Sequence, residues 1–175
     1  MYTRSMNFLH LRMQLRLARR SDLPAINAIY NQAVKELFCT AHLVPVTMEQ
    51  RETWYQEHDP GRFPVYVIAD GERVLGWISL APYRSDRQAL KHVAEVSYYV
   101  DQGHRRRGLG QQLIKHAMSV APGFGFTILI AILLDRNDAS IGLLEKSGFT
   151  RWGTMPEIAR IGKERADHLY YGRKL

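Results

Sequence analysis

The sequence contains a single cysteine, Cys39, in 175 residues. One cysteine excludes an intrachain disulfide, and Cys39 lies in no CxxC zinc pattern and in no catalytic Cys/His motif that we can identify. The seven histidines form no HxxxH or HExxH pair at the spacing of metal ligands. The sequence therefore predicts neither redox chemistry nor a metal site.

Long apolar runs are also lacking. The longest, ILIAILL at residues 128–134, is far shorter than the roughly 20 residues that span a bilayer, so it predicts a buried strand. The N-terminal segment is interrupted by charges and has no continuous apolar stretch with a small-residue cleavage site, which argues against a secretory signal. We therefore expect a cytoplasmic protein with no membrane partner.

The composition is that of a folded protein, with 46% hydrophobic and 10% aromatic residues. The length suits one compact domain, which we assign to residues 15–175, with residues 1–14 as an N-terminal extension. A net charge of +7 suits an anionic partner, either nucleic acid or a phosphorylated small molecule. Charge alone does not choose between them.

The first half of the chain predicts two helices and a hairpin after a first strand at 14–18. Asp22 caps a helix whose apolar residues recur at helical spacing, and Thr47 with Gln50 forms a capping box for a second helix that ends near Pro60. The pair Asp-Gly at 70–71 stands between two β-rich runs, a strong hairpin signal.

The second half predicts a strand at 93–100, a helix at 109–120 and a strand at 126–134. Strand, helix and strand in that order form a crossover, so the two strands should be parallel. A short helix then starts near Asp138 and ends at Gly148, whose missing Cβ suits a helix C-terminus. Two last strands, within 149–155 and 167–175, complete an α/β protein.

The segment HRRRGLGQQLI at 104–114 places three arginines beside two glycines at the start of a helix. Mutual repulsion among like charges is tolerable where a polyanion lies between them, and glycines let backbone N–H groups approach it. The segment predicts a phosphate site built by Arg105, Arg106 and Arg107 with Gly108 and Gly110.

This turn could bind one of three kinds of phosphate ligand. A dinucleotide site needs GxGxxG, but Leu113 occupies the third glycine position, and a P-loop GxxxxGK is absent. A CoA pyrophosphate fits a helix N-terminus whose N–H groups and dipole attract anions. The arginines could instead be a solvated basic face or a nucleic-acid patch, but we find no recognised nucleic-acid module and expect no such ligand.

The stretch RRRGLG matches the Q/R-x-x-G-x-G/A signature of the GNAT superfamily of N-acetyltransferases, and the order of elements from about residue 15 to 175 also resembles that family. AEVSYYV, NDASIGLLEKSGF and DHLYYGRKL resemble its branch of phosphinothricin and methionine-sulfoximine acetyltransferases. The resemblance implies a GNAT acyl-CoA N-acyltransferase fold, with a mixed, mostly antiparallel sheet, splayed fourth and fifth strands and flanking helices.

The resemblance also implies a binding site for acetyl-CoA between the splayed strands. The pantetheine amides would pair with strand backbone at Tyr98, Tyr99 and Val100, and an N–H near Val100 would polarise the acetyl carbonyl. Asn137 and Ser140 would meet the pantetheine arm, although both residue types also commonly cap helices. The pyrophosphate would lie on the turn formed by Arg105, Arg106, Arg107, Gly108, Leu109 and Gly110.

Glu95 matches the catalytic glutamate of that branch. An ammonium group cannot attack a thioester until it loses a proton, so a carboxylate near the acetyl group is the group that the reaction requires. The alternative is an outward-facing strand residue with no catalytic role. We favour the general base.

Residues Tyr83, Arg84 and Arg87 lie in the loop that lines the substrate pocket of that branch. An arginine there could hold a carboxylate or phosphinate through two hydrogen bonds, although loop arginines are more often solvated. The loop CTAHLVPV at 39–46 lacks the aromatic and acidic residues usual in the branch, and Leu144 stands where relatives often carry a histidine or tyrosine. We therefore expect Leu144 to pack in the core and water to protonate the departing thiolate.

The function predicted from the sequence is direct transfer of the acetyl group of acetyl-CoA to the primary amine of an amino-acid-like small molecule, of phosphinothricin or methionine sulfoximine type. The alternatives are acetylation of a protein N-terminus or a polyamine, and a CoA- or nucleic-acid-binding module without catalysis. A homodimer is possible.

Overall fold

The computed structural model describes residues 13–175, so residues 1–12 of the expected extension lie outside the described residues. The elements are β1 (Met13–Leu17), α1 (Leu23–Lys35), α2 (Met48–Gln56), β2 (Val65–Asp70), β3 (Arg73–Pro82), β4 (Val93–Val100), α3 (Leu109–Val120), β5 (Ile128–Leu134), α4 (Asp138–Lys146), β6 (Thr150–Ile161) and β7 (Glu164–Lys174). The strands form one sheet in the order β1-β2-β3-β4-β5-β7-β6. Every pairing is antiparallel except that of β4 with β5, which confirms the predicted mixed α/β fold.

The local sequence signals for the first hairpin and for α2 are confirmed. Gly71 turns the chain between β2 and β3 with a φ of +59°, a conformation that costs glycine little. The Thr47 hydroxyl accepts the N–H of Gln50 at 3.2 Å, and the Gln50 side-chain oxygen accepts the N–H of Thr47 at 2.8 Å. Helix α2 ends at Gln56, before the predicted stop at Pro60.

Asp22 precedes α1 as predicted, but its carboxylate caps no amide of that helix. It accepts the backbone N–H of Arg19 at 2.7 Å and pairs with the Arg16 guanidinium at 2.6 Å. Burial by itself raises the pKa of Asp22, and the hydrogen bonds from Arg16 and Arg19 outweigh that effect and lower it. The Asp22 carboxylate therefore forms an ion pair that links β1 to α1 instead of capping the helix. A charged donor competes better for a carboxylate than helix amides do.

The C-terminal strands are longer than predicted. β6 and β7 form one hairpin across Gly162, whose φ is +62°, whereas the sequence indicated only 149–155 and 167–175. The missed residues of β6, PEIARI at 156–161, are mostly exposed, and apolar and polar residues do not alternate regularly along them.

Strands β4 and β5 part soon after they begin. They pair only at Val93–Ile128, Ala94–Leu129 and Glu95–Ile130, so the rest of β4 has no β5 partner for its backbone. The expected splay of the fourth and fifth strands is thus confirmed. Because a backbone N–H or C=O buried without a partner is unfavourable, the gap favours a ligand that forms hydrogen bonds with the strand.

Two apolar clusters cover the two faces of the sheet. One lies beneath α3 and α4 and includes Leu113, Phe126 and Leu144, and we call this side the α3 face. The other lies beneath α1 and includes Ile26, Val67 and Trp77, and we call this side the α1 face. No helix within residues 13–175 is both long and apolar enough to cross a membrane.

Candidate active site

A cavity of about 860 Å³ opens where β4 and β5 part. Its walls come from both strands, the end of α1, the turn before α3 and the start of α4. The sequence-predicted residues that line it are Tyr98, Tyr99, Val100, Arg105, Arg106, Gly108, Leu109, Gly110, Asn137 and Ser140. Arg107 is exposed and lies outside the lining.

The turn before α3 has the backbone geometry of an anion site. Gly108 is the N-cap residue of α3 with a φ of +76°, and Arg106 also has a positive φ, of +61°. Helix α3 therefore directs its first N–H groups and the positive end of its dipole into the cavity. A Cβ on Gly110 would lie 2.7 Å from Cδ2 of Leu143, so α3 and α4 approach closely there.

Arg105 forms an ion pair that the sequence did not indicate. Its Nη1 donates to both carboxylate oxygens of Glu36 at 2.8 Å, and the side-chain amide of Gln102 donates to the same carboxylate at 2.6 Å. Burial raises the pKa of Glu36, but the hydrogen bonds from Arg105 and Gln102 outweigh it and lower the pKa. An acid from the end of α1 thus holds one arginine of the turn, and Arg106 lines the cavity beside it.

Asn137 performs the capping role that the sequence allowed, and Ser140 supplies the capped N–H group. The side-chain oxygen of Asn137 accepts the N–H of Ser140 at 3.2 Å, which caps α4. Both residues also line the cavity, so capping does not exclude contact with a ligand. The Tyr98 hydroxyl donates to the Ser140 carbonyl at 3.5 Å, and burial raises the pKa of Tyr98 to about 12.

Leu144 packs in the core of the α3 face, with 1% of its surface exposed. This confirms the predicted packing role. The side chain at this position carries no proton donor.

Glu95 lies where the paired part of β4 ends, opposite Ala81 of β3. Side chains alternate along a strand, so Glu95 shares the α1 face with Ser97 and Tyr99, which lie opposite Ser79 and Trp77. Glu95 is half-buried, and burial raises its pKa while the charge of Arg84 opposes the increase. A carboxyl group with a raised pKa is a better proton acceptor than a fully solvated one.

A second cavity, of about 310 Å³, lies on the α1 face. Ser97 and Tyr99 line both cavities, so the two meet at β4. The remaining walls are Tyr30, His42, Val46, Gln50, Arg51, Trp54, Trp77 and Ser79. Arg51 was not predicted as a site residue, although the sequence shows a cation one helical turn before Trp54.

The residues expected to line a substrate pocket are Tyr83, Arg84 and Arg87. They lie in the loop between β3 and β4, outside the lining of both cavities. The Arg84 guanidinium lies 5.3 Å from the centre of the Tyr83 ring, and Arg84 acts on Glu95 through its charge. Arg87 pairs with Asp86 at 3.4 Å on the exposed surface. Of these three residues, Arg84 is therefore the one whose charge affects the pKa of Glu95.

The splayed strands, the glycine-arginine turn and the cavity between them have the shape and charge for an acyl-CoA. A family model described as the Acetyltransferase (GNAT) family matches residues 31–149. This chain belongs to the GNAT acetyltransferase family. It is an acetyltransferase that uses acetyl-CoA as cosubstrate.

Individual relatives match this acetyltransferase over most of their length. The Bacillus subtilis (strain 168) protein YwnH is 40% identical over 164 residues, which are 93% of this chain and 99% of that protein. The L-methionine sulfoximine/L-methionine sulfone acetyltransferase of Pseudomonas aeruginosa is 33% identical over 147 residues, 83% of this chain and 85% of that protein. The solved structure of yncA from Salmonella typhimurium with its cofactor acetyl-CoA has a TM-score of 0.86 and 29% identity, and covers 93% of this chain and 94% of that chain.

Proposed function

We propose that this acetyltransferase acetylates the primary amine of an amino-acid-like small molecule, with Glu95 as the general base. The observation that carries the proposal is the position of Glu95, half-buried on the α1 face where the paired part of β4 ends. Glu95 lines neither cavity, but it lies on the same face of β4 as Ser97, two residues along the strand, and Ser97 lines both cavities. Relatives named as acetyltransferases of methionine sulfoximine and of phosphinothricin support this class of acceptor.

The α3 face would hold the cosubstrate, which supplies the acetyl group as a thioester. The first N–H groups of α3, with Arg105 and Arg106, would hold the pyrophosphate, and the unpaired part of β4 would bind the pantetheine amides. A backbone N–H near Val100 would polarise the acetyl carbonyl, because a fixed dipole aimed at developing negative charge stabilises the transition state. Arg107 lies outside the cavity lining and is left as a peripheral charge.

On the α1 face, Glu95 would take a proton from the acceptor ammonium, directly or through a water. The neutral nitrogen would then attack the acetyl carbonyl carbon, and the new C–N bond forms. The nitrogen loses its second proton to water, the C–S bond breaks, and the electron pair leaves with sulfur. The pKa of such a thiol is not far above the ~8.5 of cysteine, so water can protonate the departing thiolate. Arg84, which acts on Glu95 by charge, would attract the acceptor's α-carboxylate.

The test is the variant Glu95→Gln, which keeps the shape of the side chain but cannot accept the proton. We expect kcat to fall by roughly 10²- to 10⁴-fold with the Kd for acetyl-CoA unchanged. Release of CoA thiol would be followed with a panel of amino acids, a polyamine and a peptide with a free N-terminus. Glu72→Gln, at the exposed β2–β3 turn, is the matched control.

Near-normal turnover of Glu95→Gln at neutral pH would remove Glu95 from the reaction. If only the peptide or only the polyamine is acetylated, the acceptor is a protein N-terminus or a polyamine and not an amino-acid-like small molecule.

The proposal for partners also includes a homodimer and no nucleic-acid ligand. Strand β6 is one of the two edges of the sheet, and its side chains Trp152, Met155 and Ile158 are exposed. Exposed apolar residues on an edge strand support self-association. Sedimentation of the purified protein, with and without DNA, measures its oligomeric state and its binding of DNA. The cytoplasmic location stays a prediction.

A further inference from the structure

Asp101 and His104 form a hydrogen-bonded pair in the turn that leads to α3. His104 Nδ1 lies 2.6 Å from Asp101 Oδ2, and both side chains are largely shielded from solvent, with 15% and 20% of their surface exposed. The backbone N–H of His104 also donates to the Asp101 carbonyl at 2.9 Å, which holds the two residues in one turn. His104 lines the acetyl-CoA cavity next to Arg105 and Arg106, but it takes no part in the proposed reaction.

A chain of hydrogen bonds from α1 fixes the Asp101 carboxylate. The backbone N–H of Gln102 donates to the side-chain oxygen of Gln32 at 2.9 Å, and the Gln32 side-chain nitrogen donates to Asp101 Oδ1, also at 2.9 Å. Burial by itself raises the pKa of Asp101, but the hydrogen bonds from Gln32 and His104 outweigh that effect and lower the pKa. Asp101 is therefore ionised and acts only as an acceptor.

The ionised carboxylate determines which nitrogen of His104 carries a hydrogen. Because Asp101 only accepts, Nδ1 is the N–H that donates to it. In a neutral imidazole the other nitrogen, Nε2, then has a lone pair and no hydrogen. Nε2 forms no hydrogen bond with any group in residues 13–175. It is therefore the nitrogen that is left for a ligand.

The charges around His104 favour joint binding of a proton and an anion. Glu36 already neutralises Arg105, whereas Arg106 forms no ion pair within the described part of the chain. Arg106 opposes a second positive charge beside it unless an anion lies between them, so a proton on His104 and a phosphate on the turn favour each other. The other charged residues that act on the pair or line the cavity are Arg73, Arg136, Asp138 and Lys146.

Phosphate oxygens only accept hydrogen bonds, so they repel the lone pair on Nε2 of a neutral His104. When both ring nitrogens carry hydrogen, Nε2–H donates to the phosphate while Nδ1–H stays with Asp101. We infer that binding of acetyl-CoA is linked to the uptake of one proton at His104, which then contacts a phosphate group of the cosubstrate. The inference rests on the proposed pyrophosphate site at the start of α3 and does not involve Glu95. Because the complex holds one proton more than the separate partners, affinity should fall as pH rises.

The probe is dephospho-CoA, which keeps the pyrophosphate but lacks the ribose phosphate of CoA, a monoester that itself titrates at about pH 6. Calorimetry from pH ~6 to ~8 gives its Kd, and repeating each titration in buffers of different ionisation enthalpy gives the number of protons taken up. The variants are His104→Gln, whose side chain does not titrate, and Asp101→Asn. The matched control is His92→Gln, at an exposed histidine outside both cavity linings.

For wild type we expect Kd to rise by about 5- to 50-fold from pH ~6 to ~8, with uptake of up to about one proton. His104→Gln should take up no proton, and its Kd should change by less than about 2-fold over the same range, since the new side chain donates without titrating. His92→Gln should behave as wild type.

Asp101→Asn tests the orientation of His104. The new amide accepts from Gln32 through its oxygen and donates to Nδ1 through its nitrogen, so a neutral His104 carries its hydrogen on Nε2. We expect this variant to bind dephospho-CoA with less proton uptake and a weaker dependence on pH. A role limited to stabilising the turn would not give this result, because a damaged turn weakens binding at every pH alike.

Equal proton uptake by wild type and His104→Gln, or a wild-type Kd that does not depend on pH, would overturn the inference. Circular dichroism checks that each variant folds. If His104→Gln does not fold, Asp101→Asn decides alone, and unchanged proton uptake in that variant overturns the inference.

Arg106→Met separates the inference from the proposed pyrophosphate site. If Arg106→Met binds as wild type does while proton uptake depends on His104, the phosphate contact of His104 is retained and the proposed role of Arg106 is wrong. If Arg106→Met loses about 10-fold or more in affinity at every pH while the wild-type Kd does not depend on pH, the proposed site is retained and the inference is wrong.

Discussion

At the scale of single residues, Glu95 is subject to two opposing effects. Burial raises its pKa, and the nearby Arg84 cation lowers it. A general base works only when deprotonated, so a raised pKa moves the acidic limb of the pH profile above that of a solvated glutamate. The charge of Arg84 limits the increase in pKa, so Glu95, as the proposed base, would stay deprotonated to lower pH.

Replacing Arg84 by methionine should therefore shift the acidic limb of kcat/KM to higher pH. The sign follows because removing a positive charge makes the carboxylate less favourable and raises its pKa further. The measurement is kcat/KM against pH with a fixed acceptor. Arg20→Met, an exposed arginine paired with Glu52, is the control and should leave the limb in place. If the acidic limb of kcat/KM in Arg84→Met does not move, or moves to lower pH, then Arg84 does not raise the acidity of the proposed base.

Tyr98 and Tyr99 are the side-chain alternatives to water as the proton donor for the thiolate, and of the two Tyr98 lies on the α3 face. It lines the acetyl-CoA cavity, and its pKa of about 12 makes it a weaker acid than an ordinary tyrosine. Tyr98→Phe should lower kcat by less than about 10-fold and keep the alkaline part of the pH profile, since water donates instead. Turnover at saturating substrate from pH ~6 to ~10 tests this. A much larger loss together with a missing alkaline limb would identify Tyr98 as the acid.

At the scale of elements, the start of α3 is fixed by close contact with α4. A Cβ on Gly110 would meet the Leu143 side chain at 2.7 Å, whereas Gly108 has open space but a positive φ. The sequence indicated that these glycines make room for phosphate. The structure adds that Gly110 makes room for a neighbouring helix, so a larger residue there would push Leu143 toward the cavity that it lines.

Gly110→Val should weaken acetyl-CoA binding by at least about 10-fold, because either Leu143 or the start of α3 must move. Calorimetry with the folded variant gives the Kd. Gly123→Val is the control, since a Cβ at Gly123 meets nothing within 4 Å and the residue lies outside both cavities. Unchanged affinity in folded Gly110→Val would contradict an anion site at the start of this helix.

The elements that were correctly predicted are those specified by nearby residues. The capping box of Thr47 and Gln50 and the turn at Gly71 depend on contacts a few residues apart, which the sequence displays directly. The Glu36–Arg105 pair joins residues separated by 69 positions, and the packing of Arg51 joins α2 to α1 and β3. Such contacts depend on how elements pack, and a single sequence has no local signal for them.

At the scale of the whole molecule, two cavities meet at one strand of the sheet. The acetyl-CoA cavity lies where β4 and β5 part, and the second cavity lies on the α1 face. Strand β4 contributes Ser97 and Tyr99 to both cavities. This arrangement supports direct transfer across β4 without an acetylated enzyme side chain. The splay implied by the sequence resemblance is confirmed, and the catalytic role of Glu95 stays a prediction. The cavity on the α1 face was not predicted, because its walls come from α1, α2, β3 and β4 together.

Leu144 tests whether stability and catalysis are separable in this molecule. Its side chain is 1% exposed in the core of the α3 face and carries no proton donor, so it contributes through packing. Leu144→Ala should lower the free energy of unfolding by about 2–5 kcal/mol, the usual loss for a buried leucine, while the folded fraction keeps most of its kcat. Urea unfolding gives the first quantity, and turnover per folded molecule gives the second. Leu43→Ala, at a side chain that is 55% exposed, is the control and should change stability by less than about 0.5 kcal/mol. A loss of kcat in Leu144→Ala as large as that expected for Glu95→Gln, with little loss of stability, would mean that this leucine shapes the reacting centre.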